Sequence, residues 1–142
     1  MLEGLKYLHE NNIIHRDLKC ANVLVDNKGT IKLSDFGASK KIIQTFNEQG
    51  EEINSMSRSV IGSPYWMAPE VIMKSGHGKP ADIWGIGCCV IEMLTSKPPW
   101  YEHGKDPYTV MNAIKSSKIP PIYPEGISQD CIDFLNYCFE YD

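Results

Sequence analysis

The chain has 142 residues, 42% of them hydrophobic and 23% charged, enough for one domain with its own core. Its net charge of -4 supplies no basic field for nucleic acid or an anionic membrane, and no apolar run approaches the ~20 residues of a membrane span. The five cysteines, Cys20, Cys88, Cys89, Cys131 and Cys138, include no C-x-x-C pair; this pattern argues against a zinc site or disulfide framework and for reduced thiols in a cytoplasmic protein.

Met1, Leu5 and Leu8 share one helical face, with Leu2 beside them, which predicts a helix through about Glu10 ended by Asn11 and Asn12. Ile13 and Ile14 lead into a polar loop. Val23 to Val25 and Ile31 to Leu33, turned at Asp26-Asn27-Lys28-Gly29, predict a small β-hairpin. The stretch from Gln44 to Arg58 is polar and poor in β-branched residues. It buries too little to order itself. Pro80 to Ser96 reads as a helix apolar on most faces, through Ile83, Trp84, Ile86, Val90, Ile91, Met93 and Leu94, and such a helix is buried. Pro80 sits near its start and Pro98-Pro99 closes it. Gly85 and Gly87 lower helix propensity, which points to close packing against another backbone. Val110, Met111 and Ile114 mark a short amphipathic helix. Ser128 is the expected N-cap of a last helix carrying Cys131, Phe134, Leu135, Cys138 and Phe139.

The chemistry gathers at His15-Arg16-Asp17-Leu18-Lys19-Cys20-Ala21-Asn22 and at Asp35-Phe36-Gly37. The hairpin between them folds the chain back, so that Asp17 and Asn22 can meet Asp35. Hard oxygen ligands with a lysine beside them suit Mg²⁺ and phosphate.

These motifs match H-R-D-L-x-x-x-N followed by D-F-G, and Ala68-Pro69-Glu70 comes after them. Along its whole length the chain resembles the catalytic domain of eukaryotic serine/threonine protein kinases. Two longer runs, His15 to Lys40 and Gly62 to Ile72, resemble the MAP kinase kinase kinases. The resemblance implies a mainly α, protein-kinase-like fold with a small β-hairpin, restricted to the C-terminal (large) lobe and truncated at both ends. Residues 1–142 would form one partial domain, with a catalytic loop over 14–22, an activation segment over 35–70 and a central buried helix over about 80–96. No G-x-G-x-x-G is present, and kinases carry that loop, with its lysine and glutamate, upstream.

The resemblance also implies roles. Asp17 orients the substrate hydroxyl, Lys19 neutralises the transferring γ-phosphoryl of ATP, and Asn22 and Asp35 hold Mg²⁺. Leu24 floors the adenine pocket, a role compatible with an ordinary core strand residue. His15, Phe36 and Gly37 couple the two motifs, with His15 read as a satisfied core histidine rather than a base. Ser63 bonds Asp17 and Lys19. Asp82, near the start of the central helix, accepts backbone N–H groups of the catalytic loop. Glu70 is a structural anchor, expected here to lack its cationic partner. Thr45, Ser55, Ser57, Ser59 and Ser63 are candidate switches. Ser59 is the expected activating phosphosite, set by an upstream kinase or by autophosphorylation, with Arg16 and Lys40 to receive its charge. The implied protein substrate is a MAP kinase kinase, and the short helix at Val110 is a surface such enzymes use for docking. Two alternatives stay open: a non-catalytic kinase-like binding module, and a fragment from an incomplete gene model, expected to be inactive alone.

Overall fold

A computed structural model describes residues 1–42, 44–46, 52–54, 61–117 and 120–141. The order is α1 (Leu2–Glu10), β1 (Ile13–Ile14), β2 (Val23–Val25), β3 (Ile31–Leu33), β4 (Lys40–Lys41), β5 (Gln44–Phe46), β6 (Glu52–Asn54), α2 (Pro69–Ile72), α3 (Lys79–Thr95), α4 (Pro107–Ser117) and α5 (Gln129–Cys138). Three two-stranded antiparallel ladders, β1 with β4, β2 with β3 and β5 with β6, accompany the helices. The fold is mainly helical, as the sequence implies.

The long helix α3 divides the core. On one side Trp84, Cys88 and Ile91 pack with Val110 and Ile114 of α4 and Leu135 of α5. On the other, Ile86 and Cys89 pack with Leu5 of α1 and with Leu18. Both α3 glycines are required by this packing. A Cβ at Gly85 would lie 2.9 Å from Leu18 Cβ, and one at Gly87 only 2.7 Å from Cys138 Cβ. Ser128 caps α5, its hydroxyl accepting the Cys131 amide at 3.2 Å.

Three expectations need correction. The helix α3 is not buried all round: Ile83, Met93 and Leu94 face outward, Met93 being 60% exposed. An apolar helix has no polar stripe to mark its outer face, so its sequence cannot reveal one. Leu2 is likewise exposed rather than part of the α1 core. The polar stretch after Lys41 contains a strand pair, with Gln44 opposite Asn54 and Thr45 opposite Ile53. A hairpin ladder is held by backbone hydrogen bonds, which composition does not report. Ser55, Ser57, Arg58 and Ser59 lie outside the described residues. Among the described residues no helix is long and apolar enough to cross a membrane.

Candidate active site

The β2–β3 hairpin sets the frame. Val23 pairs with Leu33, Leu24 with Lys32 and Val25 with Ile31. Its turn is closed by Asp26, whose Oδ1 accepts the amides of Lys28 at 2.8 Å and Thr30 at 2.9 Å. At the open end the Asn22 carbonyl accepts both the amide and the hydroxyl of Ser34, at 2.9 and 3.0 Å. Asn22 and Asp35 are thereby brought to the same end of the hairpin. Asp35 is exposed and left-handed at φ 61°, and its carboxylate accepts the Gly37 amide at 3.4 Å.

Asp17 is the centre of a bonded cluster. Its Oδ1 accepts the Ser63 amide and the Ser63 hydroxyl, each at 2.9 Å. Its Oδ2 accepts the Asn22 side-chain amide at 3.1 Å and lies 3.2 Å from Lys19 Nζ. Lys19 Nζ also donates to Ser63 Oγ at 2.8 Å. Burial pushes the Asp17 carboxyl up, but the Ser63 and Lys19 hydrogen bonds, the lysine's charge and the Asn22 amide outweigh it. The net result is a carboxyl below its ordinary range.

The loop carrying Asp17 is fixed by α3. Asp82, buried in the first turn of α3, accepts the His15 amide on Oδ2 and the Arg16 amide on Oδ1, both at 2.9 Å. The positive end of the helix dipole favours an anion there. His9 of α1 reaches the same Oδ2 with Nε2 at 2.8 Å. Arg16 sits at φ 70°, a conformation that costs a non-glycine residue about 1–3 kcal/mol and persists only where neighbours enforce it. Its Nε donates to the Ala38 carbonyl. Burial lowers the Arg16 pKa, and the Asp82 charge partly restores it. The β1–β4 pair sets Lys40 opposite Ile14, two residues from Arg16.

His15 is fully buried. Its Nε2 donates to the Ser34 carbonyl at 3.0 Å and its Nδ1 accepts the Asp17 amide at 3.4 Å. With both nitrogens engaged it is a structural histidine. Its ring lies 5.2 Å from that of Phe36, although Phe36 is 48% exposed rather than internal. Leu24 is 54% exposed, which removes its reading as a core strand residue and leaves an apolar surface on the hairpin. Glu70 is half-buried in α2, its carbonyl accepting the Ser75 amide at 2.9 Å.

Three contributors escape the sequence reading. His9 supports Asp82, as described above. Gly62 stands at φ 122°, where a Cβ would meet the Arg16 carbonyl oxygen at 2.7 Å, so only glycine lets the 62–66 turn lie against the loop. Glu92 of α3 accepts both the Cys20 amide and the Trp66 indole N–H. Its signal was present: Glu92 is the one charged residue between Asp82 and Lys97. The Cys20 thiol is pushed up to about 12 by burial and by Glu92, which leaves it protonated and unreactive at neutral pH.

Among the described residues no cluster of three His, Cys, Asp or Glu side chains could hold a metal. The donor set nonetheless fits Mg²⁺. Asn22 spends its Nδ2 on Asp17, which leaves its amide oxygen as the acceptor, and Asp35 offers an exposed carboxylate. Mg²⁺ takes one or two such oxygens and completes its shell with water and phosphate.

The whole chain, residues 1–142, matches the family model described as protein kinase domain. It is 51% identical over 138 residues to mitogen-activated protein kinase kinase kinase 3 of Arabidopsis thaliana, covering 97% of this chain and 20% of that one. It is 49% identical over 142 residues to mitogen-activated protein kinase kinase kinase A of Dictyostelium discoideum, covering 100% and 14%. It is 48% identical over 139 residues to mitogen-activated protein kinase kinase kinase 3 of Homo sapiens, covering 98% and 21%. The chain thus spans a fifth or less of the length of the first of these relatives. The chain belongs to the protein kinase domain family.

Proposed function

We propose that this chain forms the catalytic-loop lobe of a serine/threonine kinase that transfers the ATP γ-phosphoryl to a protein hydroxyl. The observation that carries the reading is the cluster of Asp17, Lys19, Asn22 and Ser63, joined by contacts of 2.8–3.2 Å. In it Asp17 orients the substrate hydroxyl and takes its proton as the nucleophile forms. The low-lying carboxyl keeps Asp17 ionised for that task. Lys19, held between Asp17 and Ser63, places its charge where negative charge gathers on the transferring group. Asn22 and Asp35 would hold Mg²⁺, which supplies charge neutralisation when bound. Leu24 offers an apolar surface for the adenine ring. The bonded cluster weighs against a non-catalytic binding module.

The names of the relatives support a place in a MAP kinase cascade, with a MAP kinase kinase as substrate; a cytoplasmic site of action is part of the same reading. Control by phosphate at Ser59 is part of the same reading, with Arg16 bonded to the Ala38 carbonyl and Lys40 paired opposite Ile14 as the cations nearest the loop in the chain. The test uses an active kinase domain that carries this chain with its ATP-binding upper lobe. Asp17→Ala abolishes turnover and spares Mg-ATP binding, whereas Asp35→Ala weakens that binding as well. Near-parental serine or threonine phosphorylation by Asp17→Ala would overturn the assignment.

A further inference from the structure

The link between α2 and α3 carries a polar side chain that the site described above does not use. His77 stands between Gly76, at φ 147°, and Gly78, the N-cap of α3. It is 4% exposed, and its Nδ1 is buried with no hydrogen-bond partner among the described residues. Buried polar atoms are nearly always paired, either within the protein or with ordered water.

The imidazole lines a cavity of about 10 Å³ together with Arg16, Asp17, Ser63 and Asp82. A single water needs at least about 10–15 Å³ and roughly two to four polar partners, so the cavity has room for one water and for nothing larger. Asp82 supplies a partner. A carboxylate offers about four acceptor positions. Asp82 spends three of them, on His9 Nε2 and on the His15 and Arg16 amides, and one remains. Asp17 is more fully engaged, by the Ser63 amide and hydroxyl, Asn22 and Lys19. The charges of Asp82 and Arg16 both act on His77, while burial pushes its pKa down to about 4 and keeps the ring neutral at neutral pH. A neutral imidazole has one bare nitrogen. With the ring proton on Nε2, Nδ1 is an acceptor, and a water in the cavity can donate one hydrogen to it and the other to Asp82.

We propose that this cavity is the site of one structural water that bridges His77 Nδ1 to the Asp82 carboxylate, and that His77 is thereby a positioning residue for the loop carrying Asp17. Asp82 holds the His15 and Arg16 amides, directly before Asp17. A water on the same carboxylate joins the α2–α3 link to that mounting and fixes the orientation of the carboxylate. His77 touches no substrate and moves no proton of the reaction. The positioning role rests on reading the chain as a protein kinase, whereas the water site stands on the cavity and its polar atoms.

The test uses an active kinase domain carrying this chain. A high-resolution crystal structure is expected to show one water within roughly 2.7–3.2 Å of both His77 Nδ1 and an Asp82 oxygen. An ordered cavity without that water would overturn the site. His77→Asn keeps a polar atom near the place of Nδ1 and keeps the water, whereas His77→Phe keeps the ring and loses the water. His77→Phe lowers kcat about threefold to tenfold, the scale of one lost hydrogen bond, while KM for ATP stays within about twofold. His77→Asn retains roughly half or more of the parental kcat. Should His77→Phe fail to fold, the parent and His77→Asn structures still decide the water, and its loss in His77→Asn with parental kcat would refute the positioning role. Parental kcat in His77→Phe, or equal losses in the two variants, would refute that role as well. The crystallographic readout does not depend on turnover, so an inactive parent that holds the water would contradict the kinase reading and leave the site standing.

Discussion

Gly85→Ala separates the geometry of the loop from the stability of the fold. The added methyl would sit 2.9 Å from Leu18 Cβ, where carbon atoms prefer roughly 3.5–4.0 Å. Leu18 is buried against α3 and can yield only by carrying its backbone outward, by up to about 1 Å. Overpacking of this kind costs about 1–3 kcal/mol, and the gain in helix propensity over glycine returns about 1. The net loss of stability is therefore small, about 0–2 kcal/mol. The loss of activity is not small, because Leu18 adjoins Asp17. Displacing a reacting group by about 1 Å can cost about a hundredfold in rate. Gly87→Ala is the control. Its methyl would meet Cys138 Cβ at 2.7 Å and the Phe139 ring at 2.9 Å, on the α5 side and away from Asp17. Gly87→Ala should destabilise at least as much and change kcat/KM by less than about threefold. Denaturant melts and steady-state kinetics on an active kinase domain read both quantities. Equal losses of activity in the two variants, or a fully active Gly85→Ala, would refute the reasoning.

Ser63→Ala removes a hydrogen bond that holds the Asp17 carboxyl down. The acid limb of the kcat/KM profile should then move to higher pH, and a limb that stays in place would separate Ser63 from Asp17. His77 is buried, its Nδ1 has no partner among the described residues, and burial pushes its pKa down to about 4 despite the Asp82 charge. The unfolded chain, titrating near 6.5, binds that proton first as pH falls, so stability declines between about pH 6.5 and 4 by about 3 kcal/mol. Chemical melts of His77→Gln should show that part of the decline removed. Gly62→Ala, forced against the Arg16 carbonyl at a left-handed φ, should lower kcat at least tenfold, read by peptide phosphorylation. Ser59→Ala should depress activity, and Arg16→Ala should abolish the dependence on Ser59; phosphopeptide mapping that finds Ser59 unmodified in active enzyme would contradict this.

Legibility followed the range over which each signal acts. The β2–β3 hairpin was readable because short apolar stretches, Val23 to Val25 and Ile31 to Leu33, flank Asp26 to Gly29, and turn chemistry is local. The start of α3 and the cap at Ser128 were local signals as well. Gly85 and Gly87 announced close packing through their cost to a helix, but the partners Leu18 and Cys138 belong to distant segments. The β1–β4 pair has two residues on each strand, too few for any periodic pattern. Exposure was the least legible property. Leu24, Phe36 and Met93 are apolar in sequence and outward in the fold, because hydrophobicity records what a residue favours and not what lies above it.

The contrast between Asp82 and Glu92 shows where a stronger reading was available. Both are carboxylates on one apolar helix, and both accept amides of the same loop. Asp82 could be interpreted from position, since an anion in the first turn gains from the helix dipole. Glu92 lies near the other end of α3, where the dipole opposes it, so intrinsic helix energetics do not explain its presence. A carboxylate there must be compensated from outside its own helix. The physical inference open to the sequence was that donors from elsewhere converge on Glu92. The sequence could not say that they are the Cys20 amide and the Trp66 indole, because that identity depends on how two distant segments lie across α3.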